Sequence, residues 1–100
     1  MDDVLTLITE TYTTNSFGEE IATETSRDVL ARSSEITREE WYRAGQVGLN
    51  PDLLIITAAC NYAGEKKAAW HGVTYAIYRI YRRAESDEIE LYMTRQAGVR

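Results

Sequence analysis

Turn-forming residues interrupt this chain at short intervals, and their spacing restricts the possible folds more than any other feature of the sequence. Clusters that contain Gly, Asn, Ser, Asp or Pro occur at residues 15–18, 46–52, 61–67, 71–72 and 84–87. Most of the segments between them are rich in β-branched and aromatic residues, a composition that favours strands. We therefore expect an antiparallel β fold, because tight turns join antiparallel neighbours.

Six short strands are predicted between these turns. They cover residues 4–13, 20–33, 53–57, 68–70, 73–82 and 88–94. The last strand alternates most clearly. Its apolar residues Ile89, Leu91 and Met93 are expected to point inward, and Glu88, Glu90 and Tyr92 are expected to point outward. Short strands at this spacing are typical of an antiparallel barrel or sandwich. The fold class expected for residues 1–100 is one mainly-β domain, a small antiparallel β-barrel of about six strands.

One short α-helix is predicted after the second strand. Thr37 and Glu40 have the spacing of a capping box, in which each side chain accepts a hydrogen bond from a backbone N–H that the first turn leaves unpaired. Ile36 and Trp41 flank them as a hydrophobic staple, and nearby glycines end the helix after a few turns. A narrow apolar stripe is expected on one face, formed by Trp41, Ala44 and Val47.

The residue types that enzymes and metal sites need are scarce. Cys60 is the only cysteine and His71 the only histidine, so an internal disulfide is impossible and a zinc site would have to borrow carboxylates. Cys60 and His71 could in principle act as a nucleophile and its base, but no third group that would orient the base is identifiable. The acidic pairs flank turns or open the helix, where water solvates both carboxylates. We expect no catalysis, no cofactor and no metal.

The overall charge and hydropathy exclude two further classes of partner. The net charge is −5 and the pI about 4.8, which argues against non-specific binding to nucleic acids. The apolar run at residues 53–60 is far shorter than the roughly 20 residues that span a membrane. The acidic first residues differ from the positively charged start of a signal peptide. A soluble protein without a membrane partner is expected.

Arginines and tyrosines are interleaved along and just beyond the fifth predicted strand, and two interpretations remain open for them. The arginines are Arg79, Arg82 and Arg83, and the tyrosines are Tyr75, Tyr78 and Tyr81. Arginine with aromatic residues on a sheet is how small barrels bind single-stranded nucleic acid. The alternative is that the arginines pair with Glu88 and Glu90 on the neighbouring strand, which the acidic net charge favours.

Aromatic residues elsewhere are candidates for contacts between proteins. They are Trp41, Tyr42, Tyr62, Trp70 and Tyr92. Aromatic residues are enriched at interface hot spots, and a barrel with unclosed edges also offers strands for pairing. The same side chains would otherwise complete a small core, because the chain holds only 20 Ile, Leu and Val residues. A core this thin favours association with further subunits.

Four segments together carry a resemblance to a known family. They are the helix at residues 36–46, the aromatic-x-Gly-x-x-Tyr-x-Ile pattern within residues 70–79, the strand at 88–92 and the turn at 15–19. In their order and spacing the chain resembles the head–tail joining proteins of tailed bacteriophages, also called head-closure or stopper proteins. The resemblance extends over nearly the whole chain.

This resemblance implies a barrel that assembles as a homo-oligomeric ring, usually a dodecamer, in the neck of the virion. The ring would form in the bacterial cytoplasm, dock beneath the portal and its adaptor, close the DNA exit channel and present a surface to the tail or tail-completion protein. Packaged double-stranded DNA would pass through without specific binding. The loop beyond the helix would be the gate, made here of Gln46, Val47, Gly48, Leu49, Asn50, Pro51 and Asp52. A different neck ring, such as a tail terminator, is an alternative.

Overall fold

The chain folds as a six-stranded antiparallel barrel in a computed structural model that describes residues 3–95. The strands are β1 (Asp3–Thr14), β2 (Glu20–Ser34), β3 (Leu53–Ala58), β4 (Lys67–Trp70), β5 (Val73–Arg82) and β6 (Glu88–Arg95). They close in the order β1-β2-β3-β6-β5-β4. One α-helix, α1 (Arg38–Gly45), follows β2, and a turn of 3-10 helix (Ala59–Asn61) follows β3. The predicted fold class is confirmed, and each predicted strand bound lies within one residue of the observed one.

Side chains of all six strands pack inside the barrel. The alternation predicted for β6 is confirmed, because Ile89, Leu91 and Met93 point into this core. From β5, Tyr75 and Ile77 pack against it without being fully buried. The buried members of the core are Leu5, Leu7, Ala31, Ile55, Ala68, Trp70, Ile89, Leu91 and Met93. Their burial is the main source of stability for the barrel.

The hairpin of β1 and β2 extends well beyond the closed part of the barrel. β4 pairs with β1 only over residues 5–8, and β3 pairs with β2 only over residues 31–34. Residues 9–25, here called the arm, therefore pair only with each other. From Glu10 to Asp28 every residue except Asn15 is exposed. The arm accounts for the elongated outline of the described chain, which measures 49 × 29 × 25 Å.

The tight hairpin predicted at His71 and Gly72 joins β4 to β5 as expected. His71 has φ 49° and Gly72 has φ 81°, so both central residues adopt the left-handed conformation. A two-residue turn of this kind matches the twist of the strands that it connects. The non-glycine residue at the first position carries the conformational strain, and glycine at the second avoids it.

Helix α1 lies on the barrel through a face that differs from the predicted one. Its buried residues are Glu40 and Ala44, whereas Trp41 is half exposed and Val47 is exposed. The predicted stripe of Trp41, Ala44 and Val47 is therefore wrong. Three residues turn a helix by only about 300°, so side chains at this spacing drift off a single face. Residues four apart, such as Glu40 and Ala44, stay closer to one line.

No helix within residues 3–95 is long and apolar enough to cross a membrane.

Candidate functional site

The arm presents one face rich in threonine and one face, here called the acidic face, on which half of the residues are glutamates. Cross-strand partners share a face, and Leu5 and Leu7, which point into the barrel, set the direction of the first one. Beyond them, the same face carries five threonines and Ile21. The threonines are Thr9, Thr11, Thr13, Thr23 and Thr25. The opposite face carries the pairs Glu10–Glu24, Tyr12–Ala22 and Thr14–Glu20. Neither face offers the apolar surface that a core would need.

The tip of the arm, residues 15–20, is held rigid by one side chain. Asn15 Oδ1 accepts hydrogen bonds from the backbone N–H groups of Phe17 and Glu19, both at 2.9 Å. Its Nδ2 donates to the Glu19 carboxylate at 3.1 Å. Gly18 has φ 82°, which closes the turn without steric cost. This network presents the ring of Phe17, 86% exposed, at the most distant point of the hairpin.

Ion pairs hold the base of the arm on both faces. On the threonine face, Arg27 donates to the Glu65 carboxylate at 3.0 Å and also to the Asn61 carbonyl. On the acidic face, Lys67 lies 3.2 Å from Glu10 and 3.4 Å from Glu24. The hydrogen bond from Lys67 to Glu10 raises the pKa of the lysine. The arm is therefore fixed relative to the barrel rather than attached only through its strands.

Glu65 is the buried partner in this arrangement, with a side chain only 3% exposed. Burial raises the pKa of its carboxyl, but hydrogen bonds from backbone N–H groups and from Arg27 outweigh burial, and the pKa lies below its usual value. The Ala63 N–H donates to this carboxylate at 2.9 Å. Tyr62 Oη donates to the Glu65 carbonyl at 2.6 Å. The loop before β4 is thus folded around a charge whose counter-ion comes from β2, at the base of the arm.

A second buried carboxylate, Glu40, joins helix α1 to the outer face of the barrel. Tyr78 Oη donates to it at 2.7 Å and Arg79 at 2.5 Å. Burial raises the pKa of Glu40, and these two donors reverse that effect and lower it. The same arrangement raises the pKa of the Tyr78 hydroxyl, through burial and through the Glu40 carboxylate. Thr37 caps the helix as predicted, at 3.2 Å from the Glu40 N–H, but the Glu40 side chain does not complete the capping box.

The cluster continues across β6. The Arg79 guanidinium lies 4.2 Å from the centre of the Tyr92 ring, a favourable cation–π arrangement. Tyr92 Oη donates to the Glu90 carboxylate at 2.5 Å, and burial together with this carboxylate raises the pKa of Tyr92 to about 12. Arg83 contacts Glu90 at 2.9 Å and Glu88 at 3.2 Å. These contacts fix the surface beneath the helix.

These ion pairs bear on the two interpretations of the arginines. Arg83 pairs with the two glutamates of β6, as the second interpretation expected, and Arg79 pairs with Glu40. Arg82 is exposed, and among the described residues no ion pair is found for it. Two of the three positive charges are therefore neutralised within the chain, which leaves little attraction for phosphate groups.

The five aromatic residues predicted for an interface differ widely in exposure. Trp41 is 48% and Tyr42 is 72% exposed, so both are open to a partner. Tyr62 is half buried and packs against the core. The exposure expected for Tyr92 is wrong, because Tyr92 and Trp70 are each only 7% exposed. Trp70 belongs to the core and Tyr92 lies in the cluster beneath the helix, so both are engaged in the chain's own packing.

The predicted gate loop, residues 46–52, is anchored at both ends. The backbone N–H of Leu49 donates to the Ala44 carbonyl at 2.9 Å, and Pro51 is fully buried. Asp52 donates through its N–H to the Met93 carbonyl at 2.9 Å and accepts from the Arg95 N–H at 2.6 Å. The exposed residues of the loop are 46–48, Asn50 and Asp52. Its role as a gate stays a prediction.

The remaining candidates for chemistry have separate surroundings. Cys60 is exposed, next to Asn61. His71 contacts Asp3 at 2.6 Å and stacks on the Trp70 ring at a centroid distance of 4.6 Å. Within residues 3–95 no three side chains of His, Cys, Asp or Glu form a group that could hold a metal ion.

The comparisons with known proteins leave the family open. No protein-family model matches the chain, and no curated protein matches it.

The feature of the site that the sequence analysis missed is the projection of the arm beyond the barrel. Its signal was present in the sequence: inward positions change from leucine at 5 and 7 to threonine at 9, 11 and 13.

Proposed function

We propose that this chain is a structural subunit of a tailed-bacteriophage virion, a head-closure protein that works as a ring in the neck. The observation that carries the proposal is the arm, whose strands pair only with each other and whose two faces are exposed. An isolated two-stranded hairpin is marginally stable in water. We therefore expect contacts with neighbouring subunits to stabilise an arm of this length.

The arrangement of the unpaired edges supports a ring. One edge of the arm belongs to β1 and the other to β2, so the two edges are different surfaces. Contacts between different surfaces of identical subunits are head-to-tail contacts, which close into rings when the rotation allows it. The resemblance to head–tail joining proteins supports the same assembly, and the ring stoichiometry follows from that resemblance alone.

The charge distribution supports a channel through which DNA slides. The net charge of −5 repels phosphate groups, and Arg79 and Arg83 are neutralised by glutamates. In this proposal the ring docks beneath the portal adaptor, holds the packaged DNA and offers its other side to the tail. The ring needs no cofactor and catalyses no reaction.

The test is to locate the chain in virions of the phage that encodes it. We expect electron microscopy of the neck to show a ring of barrels between the portal adaptor and the tail, with density that fits the arm. Phage that lack the gene should package DNA, lose it again and fail to acquire tails. Virions whose neck lacks this chain would overturn the proposal, and a ring in contact with the tail tube alone would indicate a tail terminator.

A further inference from the structure

The tip of the arm has the properties of a preformed recognition element. Asn15 fixes the turn through three hydrogen bonds, so the turn loses little conformational entropy on binding. The Phe17 ring stands free in water at the end of the arm. Glu19 and Glu20 follow directly and are exposed. A partner for this tip needs an apolar recess for one aromatic ring and positive charge at its edge.

A groove on the side of the barrel meets these requirements. It lies between the loop at residues 62–66 and β5 and has a volume of about 380 Å³. A cavity of about 150 Å³ is enough for a benzene ring. Ile77 and Ile80 supply apolar surface, while Lys66 supplies positive charge. Lys66 is exposed, and no ion pair is found for it within residues 3–95. We call this recess the β5 groove.

The β5 groove also has an unpaired strand edge. β4 pairs with β5 only over Val73–Ala76, and the Ile77 N–H donates to the Lys66 carbonyl at 2.9 Å. From Tyr78 onward, within the described chain, β5 has a paired strand on the β6 side alone. Backbone groups on such an edge can bind an incoming segment of chain.

Charge distinguishes the β5 groove from a larger recess beside helix α1. That recess, about 470 Å³ in volume, is lined by Ile36, Trp41 and Leu53 but also by the carboxylates of Glu35 and Asp52. Carboxylates opposite Glu19 and Glu20 would repel the tip. No carboxylate lines the β5 groove. The apolar recess and the positive charge of Lys66 therefore match the exposed ring and the carboxylates of the tip.

We propose that the tip of one copy binds the β5 groove of a second copy, with Phe17 in the apolar recess and Glu19 or Glu20 beside Lys66. This inference rests on the proposed ring, because it names the contact that would join neighbouring subunits. The two surfaces lie on different parts of the subunit, so the contact is head-to-tail and repeats from copy to copy.

Cross-linking between single-cysteine variants tests the contact directly. All variants carry Cys60→Ser, which removes the native thiol. Ser16→Cys places a thiol on the tip, and Ala63→Cys places one on the exposed loop beside the β5 groove. Mixed under mild oxidation, these two proteins should form a disulfide-linked dimer. The matched control pairs Ser16→Cys with Ser34→Cys, which lines the recess beside the helix. A dimer with the control instead, or with neither, would overturn the proposal.

Affinity measurements on purified protein add an independent readout. Phe17→Ala should weaken self-association about tenfold or more, as expected for a hot-spot aromatic. Leu30→Ser, which removes another exposed apolar side chain outside the tip, should change it less than about twofold. Lys66→Glu should weaken association, and combining it with Glu19→Lys and Glu20→Lys should restore it. Self-association that none of these changes affects would contradict the proposed contact. It would not contradict the proposed neck ring, because the ring is tested separately by the position of the chain in the virion.

Discussion

The Arg79 guanidinium donates a hydrogen bond of 2.5 Å to the buried carboxylate of Glu40, and this ion pair joins helix α1 to strand β5. Glu40 is 2% exposed, so its charge depends on Arg79 and Tyr78 for compensation. Arg79 Nε is buried, and within residues 3–95 it has no hydrogen-bond partner. The pair therefore fixes the helix, and with it the start of the predicted gate loop, on the barrel.

Removing the charge of Glu40 should destabilise the fold more than its small change in volume suggests. Glu40→Gln leaves Arg79 without its counter-ion, and we expect the free energy of unfolding to fall by about 2 kcal/mol. Breaking a fully buried pair costs about 3–5 kcal/mol, and the partial exposure of Arg79 reduces that cost. Urea titration measures the effect. The control is Glu39→Gln at the exposed neighbouring position, which should change the free energy of unfolding by less than about 0.5 kcal/mol. Equal unfolding midpoints for the two variants would contradict the prediction.

Acid should weaken the contacts of both buried glutamates. The pKa values of Glu40 and Glu65 lie below the ordinary 4.5, so each stabilises the fold above pH 4.5 and loses this contribution as the pH falls through its lowered pKa. We expect the difference in unfolding free energy between wild type and Glu65→Gln to be constant near pH 7 and to shrink below pH 4.5. Thermal unfolding from pH 7 to pH 3 measures it. A difference that grows toward acid would show that the sign is wrong.

The two ion pairs at the base of the arm should differ in energy although both involve one cation. Arg27→Met leaves the carboxylate of Glu65, only 3% exposed, without its counter-ion. Lys67→Met leaves Glu10 and Glu24, which are exposed to water. We therefore expect Arg27→Met to cost about 2 kcal/mol and Lys67→Met less than about 1 kcal/mol. Each variant serves as the control for the other in denaturant unfolding, and a reversed order would contradict the assignment of Glu65 as the buried partner.

The strands were predictable from the sequence because their signals are local. Alternation in β6 and the turn at His71 and Gly72 depend only on neighbouring residues. The projection of the arm could not be predicted in this way, because it depends on which strands flank β1 and β2. Those pairings join residues far apart in sequence. The polar inward positions from Thr9 onward mark where the core ends, and reading them against Leu5 and Leu7 would have located that boundary.

The helix shows how a distant contact can override a local motif. The spacing of Thr37 and Glu40 predicted a reciprocal cap, and only the Thr37 half forms. Tyr78 and Arg79 instead donate to the Glu40 side chain, and neither can be identified as its partner from sequence spacing. The burial of Tyr92, which alternation places outside, also depends on a neighbouring strand, because Tyr78 and the Arg79 guanidinium of β5 lie against its ring.

Single-stranded nucleic acid should bind weakly or not at all. Arg79 and Arg83 are engaged by glutamates, and the net charge of −5 repels phosphates. We expect no saturable binding of a fluorescent single-stranded DNA at 150 mM salt, and only weak binding at low salt. A charge-reversed variant, Glu88→Lys with Glu90→Lys, is the positive control, because it frees Arg83 and adds positive charge. Tight wild-type binding with a steep salt dependence would support the nucleic-acid interpretation instead.

The predicted gate loop should change its protection when subunits assemble. Its centre is exposed at Val47 and Gly48, whose N–H groups are bonded only within the turn itself, to the Ala44 and Gly45 carbonyls at 3.2 and 3.1 Å, whereas the Asp52 N–H is bonded to the Met93 carbonyl of β6. If a ring surrounds the channel with this loop, neighbouring copies restrict the exposed centre, so hydrogen exchange of the Val47 and Gly48 amides should slow at least about tenfold between the free subunit and the assembled ring. The Asp52 amide is the internal control and should exchange slowly in both states. Equal exchange at Val47 and Gly48 in both states would show that the loop takes no part in assembly or gating.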